Sequence, residues 1–120
     1  GSIINVSSDL GIIAPDQRIY KNSGFVKPVT YSVAKHGIIG LTKYTASYWG
    51  EKNIRCNAIA PGGIYNKQDR SFVKKINQLI PLRRMAKKNE YNGLILFLCS
   101  DLSSYITGSI IVADGGRTII

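Results

Sequence analysis

The sequence predicts an α/β fold, a parallel sheet carrying helices on its faces. Three short apolar runs, Ser2–Val6, Ile54–Ala60 and Ser109–Ala113, are each closed by small or turn-forming residues. Between them, apolar residues recur at helical steps, so the order is strand, helix, strand, helix, helix, strand. Alternation of this kind builds parallel sheets, because a parallel return needs a crossover long enough to hold a helix.

The first run is continuous in apolar character rather than alternating, as in a strand covered on both faces, and it is ended by Asn5, Ser7, Ser8 and Asp9. A first strand as apolar as a central one implies neighbours beyond this chain. Residues 9 to 28 carry Gly11, Pro15, Asn22, Gly24 and Pro28 and are expected to form a long loop, of a length that points to function. From Val29 to about Lys52 the pattern is helical, with Thr30 as the expected N-cap and Ala34, Ile38, Leu41, Thr45 and Tyr48 on one side. Gly37 and Gly40 each cost roughly 1 kcal/mol against alanine inside a helix, so their expected use is close approach to another backbone.

Asn53 closes that helix, and Ile54–Ala60 makes the second strand, ended by Pro61, Gly62 and Gly63. Residues 64 to 86 are polar and basic, with a weak amphipathic helix over Ser71–Ile80 that Pro81 stops. A further helix is expected over Lys88–Cys99, and the last strand ends at Asp114, Gly115 and Gly116. Asp114 reads as a strand terminator.

The chain has 120 residues, enough for one small domain, and its 44% hydrophobic and 19% charged residues are ordinary globular composition. No apolar run approaches the ~18 residues that span a bilayer, so no membrane role is expected. Cys56 and Cys99 lie in apolar stretches and read as buried hydrophobes of a reducing, cytoplasmic compartment. With His36 the only histidine and no C-x-x-C pair, no metal site is expected, and His36 itself reads as a packing or surface residue. The formal charge of +9 is scattered, and the doublets Lys74-Lys75, Arg83-Arg84 and Lys87-Lys88 are not interleaved with aromatics. A solvated basic face, not a nucleic-acid platform, is the expected outcome.

The chemistry concentrates at Tyr31, Lys35 and Ser8. Tyr31 and Lys35 are four apart at the start of a helix and share one face, while Ser8 lies at the C-terminal end of the preceding strand, where open α/β sheets bind ligands. A phenol gives up its proton near neutrality only where the phenolate is stabilised. A lysine ammonium ~5 Å away, at an effective dielectric near 20, supplies roughly 3 kcal/mol of that. The serine hydroxyl can hold a substrate carbonyl and its developing oxyanion.

Five motifs in order give these residues a context: I-I-N-V-S-S at 3–8, Y-S-V-A-K-H-G at 31–37, I-R-C-N-A-I-A-P-G-G at 54–63, Y-I-T-G at 105–108 and V-A-D-G-G at 112–116. On these the chain resembles the classical short-chain dehydrogenase/reductase family over essentially its full length. The resemblance implies the C-terminal part of a Rossmann-like doubly wound parallel sheet, with residues 1–120 as the catalytic portion of a single domain whose N-terminal nucleotide-binding half is absent. It implies an NAD- or NADP-dependent oxidoreductase that moves a hydride between nicotinamide and a carbonyl or secondary alcohol, the portion alone being inactive.

By the same resemblance Ser8, rather than Ser7, polarises the carbonyl, Tyr31 transfers the proton, and Lys35 assists the tyrosine while binding the nicotinamide ribose. Pro61 and Gly62 resemble the turn that passes the nicotinamide, Ile64 the residue whose backbone meets the carboxamide, and Asn66 a pyrophosphate-side contact. Residues 64 to 84 resemble the substrate-covering segment, and the long helix, with Tyr44, Tyr48 and Trp49 as anchors or core residues, the one that pairs in a homodimer or homotetramer. The alternative is a non-catalytic fragment of the same family acting as an interaction module.

Two departures stand out. No G-x-x-x-G-x-G occurs in the chain, and Ser8 and Tyr31 are 23 positions apart, longer than the family's usual spacing. The extra residues, around Asp16 to Phe25, are expected to line the substrate mouth. A-P-D-Q-R-I-Y-K, K-P-V-T-Y-S-V-A-K and P-G-G-I-Y-N-K-Q are similar to a subgroup found beside bacterial sugar and flagellin-glycan genes, which implies a sugar-like substrate. Arg18, Lys21 and Lys27 suit an anionic one.

Overall fold

A computed structural model describes residues 1–21 and 24–120; Asn22, one of the expected loop formers, lies outside them. The chain forms β1 (Ser2–Val6), α1 (Val29–Trp49), β2 (Arg55–Pro61), α2 (Arg70–Gln78), α3 (Asn92–Cys99) and β3 (Ile110–Ala113). The strands lie in the order β1-β2-β3, all parallel, with Ile3 opposite Cys56 and Ile59 opposite Ile111. β2, central and flanked on both edges, is buried from Cys56 to Ala60. Its buried Asn57 is satisfied, donating to Ile106 O at 2.8 Å and accepting from Ser109 N at 3.0 Å. β1 is an edge strand of the described sheet and leaves Ile3 and Val6 exposed.

Several expected boundaries move, each for a local reason. Pro28, not Thr30, is the N-cap of α1, because its fixed φ of −67° and extended ψ turn the chain into the helix, and Tyr31 N–H donates to Pro28 O at 3.1 Å. α3 starts at Asn92, not Lys88: the Glu90 carboxylate accepts from Lys87 N at 2.6 Å and pairs with Arg84, folding the preceding residues into a turn. α2 begins one residue early, since Asp69 caps it through Ser71 N and Phe72 N. The long loop is not structureless, for it holds 3-10 turns at Asp9–Gly11, capped by Ser8, and Gln17–Tyr20, capped by Asp16. Cys99 is exposed at the end of α3 rather than buried; Cys56 is buried, and burial pushes its thiol up.

Two packing details set the site. Arg55, opening β2, donates to Leu98 O and Ser100 O at 3.1 Å and so fastens the end of α3 to the sheet. Gly11 sits where α1 crosses the end of β1; a Cβ there would lie 2.8 Å from Lys35 O and 2.5 Å from Ser7 Oγ, so only glycine lets the helix approach this closely. Gly37 and Gly40 have nothing within 4 Å of the equivalent position, so the close approach expected of them is not made within this chain.

Candidate active site

Because the strands are parallel, their C-terminal ends share one rim, and a cavity of about 440 Å³ opens there. Ser8, Tyr31, Lys35, Pro61, Gly62 and Ile64 all line it. Asn66 does not; it is exposed beyond the rim.

Ser8 Oγ donates to Asp9 Oδ1 at 2.8 Å and accepts from Leu10 N at 3.1 Å. A hydroxyl has one proton and two lone pairs, so one lone pair remains for a ligand. The other Asp9 oxygen accepts from Arg117 Nη1 at 2.7 Å, in an ion pair whose side chains are 4% and 6% exposed. Ser7 is engaged differently: its hydroxyl donates to Lys35 O at 2.8 Å and ties the end of β1 to α1. Tyr31 stands in the first turn of α1 and Lys35 one turn on, with Lys35 Nζ donating to Val6 O at 2.9 Å and lying 5.6 Å from the centre of the Tyr31 ring.

Further groups line the cavity without a local sequence signal. Gln68 donates to Ile64 O at 2.8 Å and accepts from Asn66 N at 2.7 Å, folding residues 64–68 around its own amide. Asp9 and Arg117, 108 positions apart, meet only in three dimensions. Tyr20 is the other phenol on the wall; burial pushes it above its ordinary value, so it stays protonated at neutral pH. Phe72 and Ile76 of α2 face the same space and join the cluster of Ile19, Ile80 and Met85 beneath the loop. Asp114 closes β3 by accepting from Gly116 N at 2.8 Å and Thr118 N at 2.7 Å.

A family model described as enoyl-(acyl carrier protein) reductase matches residues 1–118. A short-chain dehydrogenase from Leptospira borgpetersenii, solved with bound NAD+, superposes with a TM-score of 0.91 at 39% identity, covering 98% of this chain and 44% of that one. The chain belongs to the short-chain dehydrogenase/reductase family. Within the family it is 42% identical to a 3-oxoacyl-[acyl-carrier-protein] reductase of Thermotoga maritima, covering 99% of this chain and 46% of that protein. It is 41% identical to trans-4-hydroxycyclohexanecarboxylate dehydrogenase of Sinomonas cyclohexanicum, covering 98% and 41%. The chain therefore spans less than half the length of the curated relatives it matches.

As a short-chain dehydrogenase/reductase the chain shows the family's α/β fold and places the Ser-Tyr-Lys set on the rim cavity. Gly62 is a close approach on that rim: a Cβ there would lie 2.8 Å from Asp114 Cα, so the β2 turn presses directly on the β3 turn. Among the described residues there is no cluster of metal-ligating side chains, and no helix is long and apolar enough to cross a membrane.

Proposed function

We propose that the protein carrying this chain is an NAD- or NADP-dependent oxidoreductase acting on a carbonyl or secondary alcohol, with residues 1–120 as the catalytic, C-terminal portion of a single domain. The observation that carries this reading is the shared cavity of Ser8, Tyr31 and Lys35 with the Pro61-Gly62 turn. The residues fit a nicotinamide riboside: an ammonium stands at the rim for the ribose hydroxyls, and the Pro61-Gly62-Gly63 backbone offers a side-chain-poor wall for a flat ring. Lys35, Tyr31, Pro61, Gly62 and Ile64 would hold it, with Asn66, exposed outside the cavity, as the proposed pyrophosphate-side contact. When bound, the nicotinamide supplies or accepts the hydride.

The chain's own residues move the proton. In reduction Tyr31 passes its phenolic proton to the substrate oxygen as negative charge develops there, and the Lys35 ammonium stabilises the phenolate left behind. In oxidation the alcohol gives its one proton back to the phenolate, so Ser8 serves the alkoxide oxygen that forms as a donor and not as an acceptor. Holding a developing alkoxide in reduction requires Ser8 to turn its proton away from Asp9. The phosphate-binding loop, absent from these 120 residues, belongs to the rest of the domain, whose sheet would continue past β1. The substrate of this reading is a polar small molecule, and the protein is proposed to act in the cytoplasm.

Nicotinamide binding tests this reading without knowledge of the substrate. Titration calorimetry of the intact protein should show saturable binding of NAD+ or NADP+, weakened about 10-fold or more in Lys35→Met through loss of charge-assisted hydrogen bonds to the ribose. No detectable binding of either dinucleotide would overturn it and favour the interaction-module alternative.

α1 supplies the proposed homodimer or homotetramer interface. Val33, Leu41, Tyr44 and Tyr48 form an exposed stripe, Tyr44 stacks on Tyr48 with ring centres 5.8 Å apart, and Gly37 and Gly40 leave the middle of the helix open to a second backbone. Both aromatics are exposed, which supports the interface reading over core packing. Leu41→Arg is expected to dissociate the intact protein to monomers in sedimentation velocity at micromolar concentration; an unchanged sedimentation coefficient would exclude α1 as the interface.

A further inference from the structure

Four charged side chains line the rim cavity: Asp9, Lys27, Lys35 and Arg117. Asp9 and Arg117 cancel each other in a buried pair. Lys35 is tied to Val6 O. Lys27, like Lys35, is in no ion pair among the described residues, and unlike Lys35 its ammonium is placed against aromatic rings from the loop as well as from α1. Its Nζ lies 4.7 Å from the centre of the Tyr31 ring, 5.7 Å from that of Phe25 and 5.8 Å from that of Tyr20. An ammonium over three aromatic faces is held in place by their quadrupoles, yet keeps its charge uncancelled.

Its position is built rather than incidental. The Gln17 side chain grips the Lys27 backbone on both sides, donating to Lys27 O at 2.9 Å and accepting from Lys27 N at 3.0 Å. Pro28 follows at once and fixes the entry to α1. The lengthened stretch between Ser8 and Tyr31 therefore ends by delivering a cation to the mouth of the cavity. The other cations of that stretch do not reach it. Arg18 is engaged by both oxygens of Asp16 and points to solvent, with its side chain 87% exposed. Lys21 lines a neighbouring cleft of about 720 Å³ and not this cavity.

We infer that Lys27 is a specificity-determining residue that selects an anionic substrate, a hydroxy or oxo acid whose carboxylate lies a few bonds from the reacting carbon. The short span follows from geometry: the ammonium lies against the ring of the phenol that serves the reacting oxygen, so both ends of the substrate meet the enzyme within one small cavity. The cavity's lining charge sums to one net positive beyond Lys35, which complements a single carboxylate. Because the carboxylate keeps its charge throughout the reaction, Lys27 binds ground and transition states alike, and its effect falls on KM more than on kcat.

This inference rests on the oxidoreductase reading, and its test is chosen to fail separately. The intact protein is assayed for nicotinamide reduction with a set of hydroxy acids that includes trans-4-hydroxycyclohexanecarboxylate and 3-hydroxybutyrate, each paired with its neutral carboxamide. The acid is expected to exceed its amide in kcat/KM by about 10- to 100-fold, the range for a hydrogen bond to a charged group. Lys27→Met should bring that ratio close to one through KM, and Lys27→Arg should restore most of it. Equal turnover of acid and amide, turnover of no acid in the set, or a ratio that survives Lys27→Met overturns the inference. Dinucleotide binding by the parent protein, measured independently, reports whether the oxidoreductase reading still stands.

Discussion

Replacing Arg117 with methionine is expected to destabilise the intact protein by about 3–5 kcal/mol, the usual consequence of leaving a buried charge without its partner. Arg117 reaches Asp9 from the far end of the chain, Nη1 to Oδ2 at 2.7 Å, and both side chains are almost fully buried. The remaining Asp9 oxygen already accepts from Ser8 Oγ and Leu10 N, each at 2.8 Å. Loss of the guanidinium leaves a carboxylate that is half satisfied and cut off from water. The double variant Asp9→Asn with Arg117→Met removes both charges, so its loss should be well below the sum of the two single losses. Urea unfolding measures all three. A single-variant loss under about 1 kcal/mol would mean that the pair is reached by solvent. Since Asp9 also takes the Ser8 proton, the same variant should disturb the serine and the last turn of the chain together.

What the sequence made legible follows from the range of the interactions involved. β1 is read to its exact ends because a continuous apolar run bounded by Ser7, Ser8 and Asp9 is a local signal. That the strands are parallel and share one rim follows from alternation, and with it the place of Ser8 at a strand end, whereas Pro61, Gly62 and Ile64 were singled out by the family resemblance. Thr30 was the better cap by residue type, but Pro28 set the backbone geometry first, and a fixed φ outweighed a side-chain hydrogen bond. The start of α3 escaped because Glu90, a good helix former, is drawn into a turn by Arg84 and Lys87 N, contacts that helical periodicity does not encode.

Long-range pairs were not legible at all. Nothing around Asp9 announces Arg117, and nothing in A-P-D-Q-R announces that the Gln17 amide closes on the backbone of Lys27. The sequence offered three cations for an anionic ligand, and only packing separated them: Asp16 holds Arg18 and is itself drawn down to about 2 by that contact, while Lys27 alone enters the cavity.

Tyr31→Phe is expected to lower kcat by about 100- to 10,000-fold, the range of a positioned general acid, while leaving the fold and dinucleotide affinity within a few-fold of the parent. The substitution removes one oxygen and keeps the ring, which is what Lys27 and Lys35 flank at 4.7 and 5.6 Å. The helix start is equally untouched, since Tyr31 contributes to it through its backbone N–H on Pro28 O. A loss confined to kcat therefore isolates the proton. The outcome that would sink the assignment is a variant retaining more than a tenth of the parent rate, for then another group must donate. Tyr20 is the other phenol on the cavity wall, and its burial works against it, because the same desolvation that raises it opposes forming a phenolate there. Lys35 stands 5.6 Å from the centre of the Tyr31 ring, whereas at Tyr20 desolvation is the largest influence, and Tyr20→Phe, retaining most of the parent rate, is the control that separates the two tyrosines.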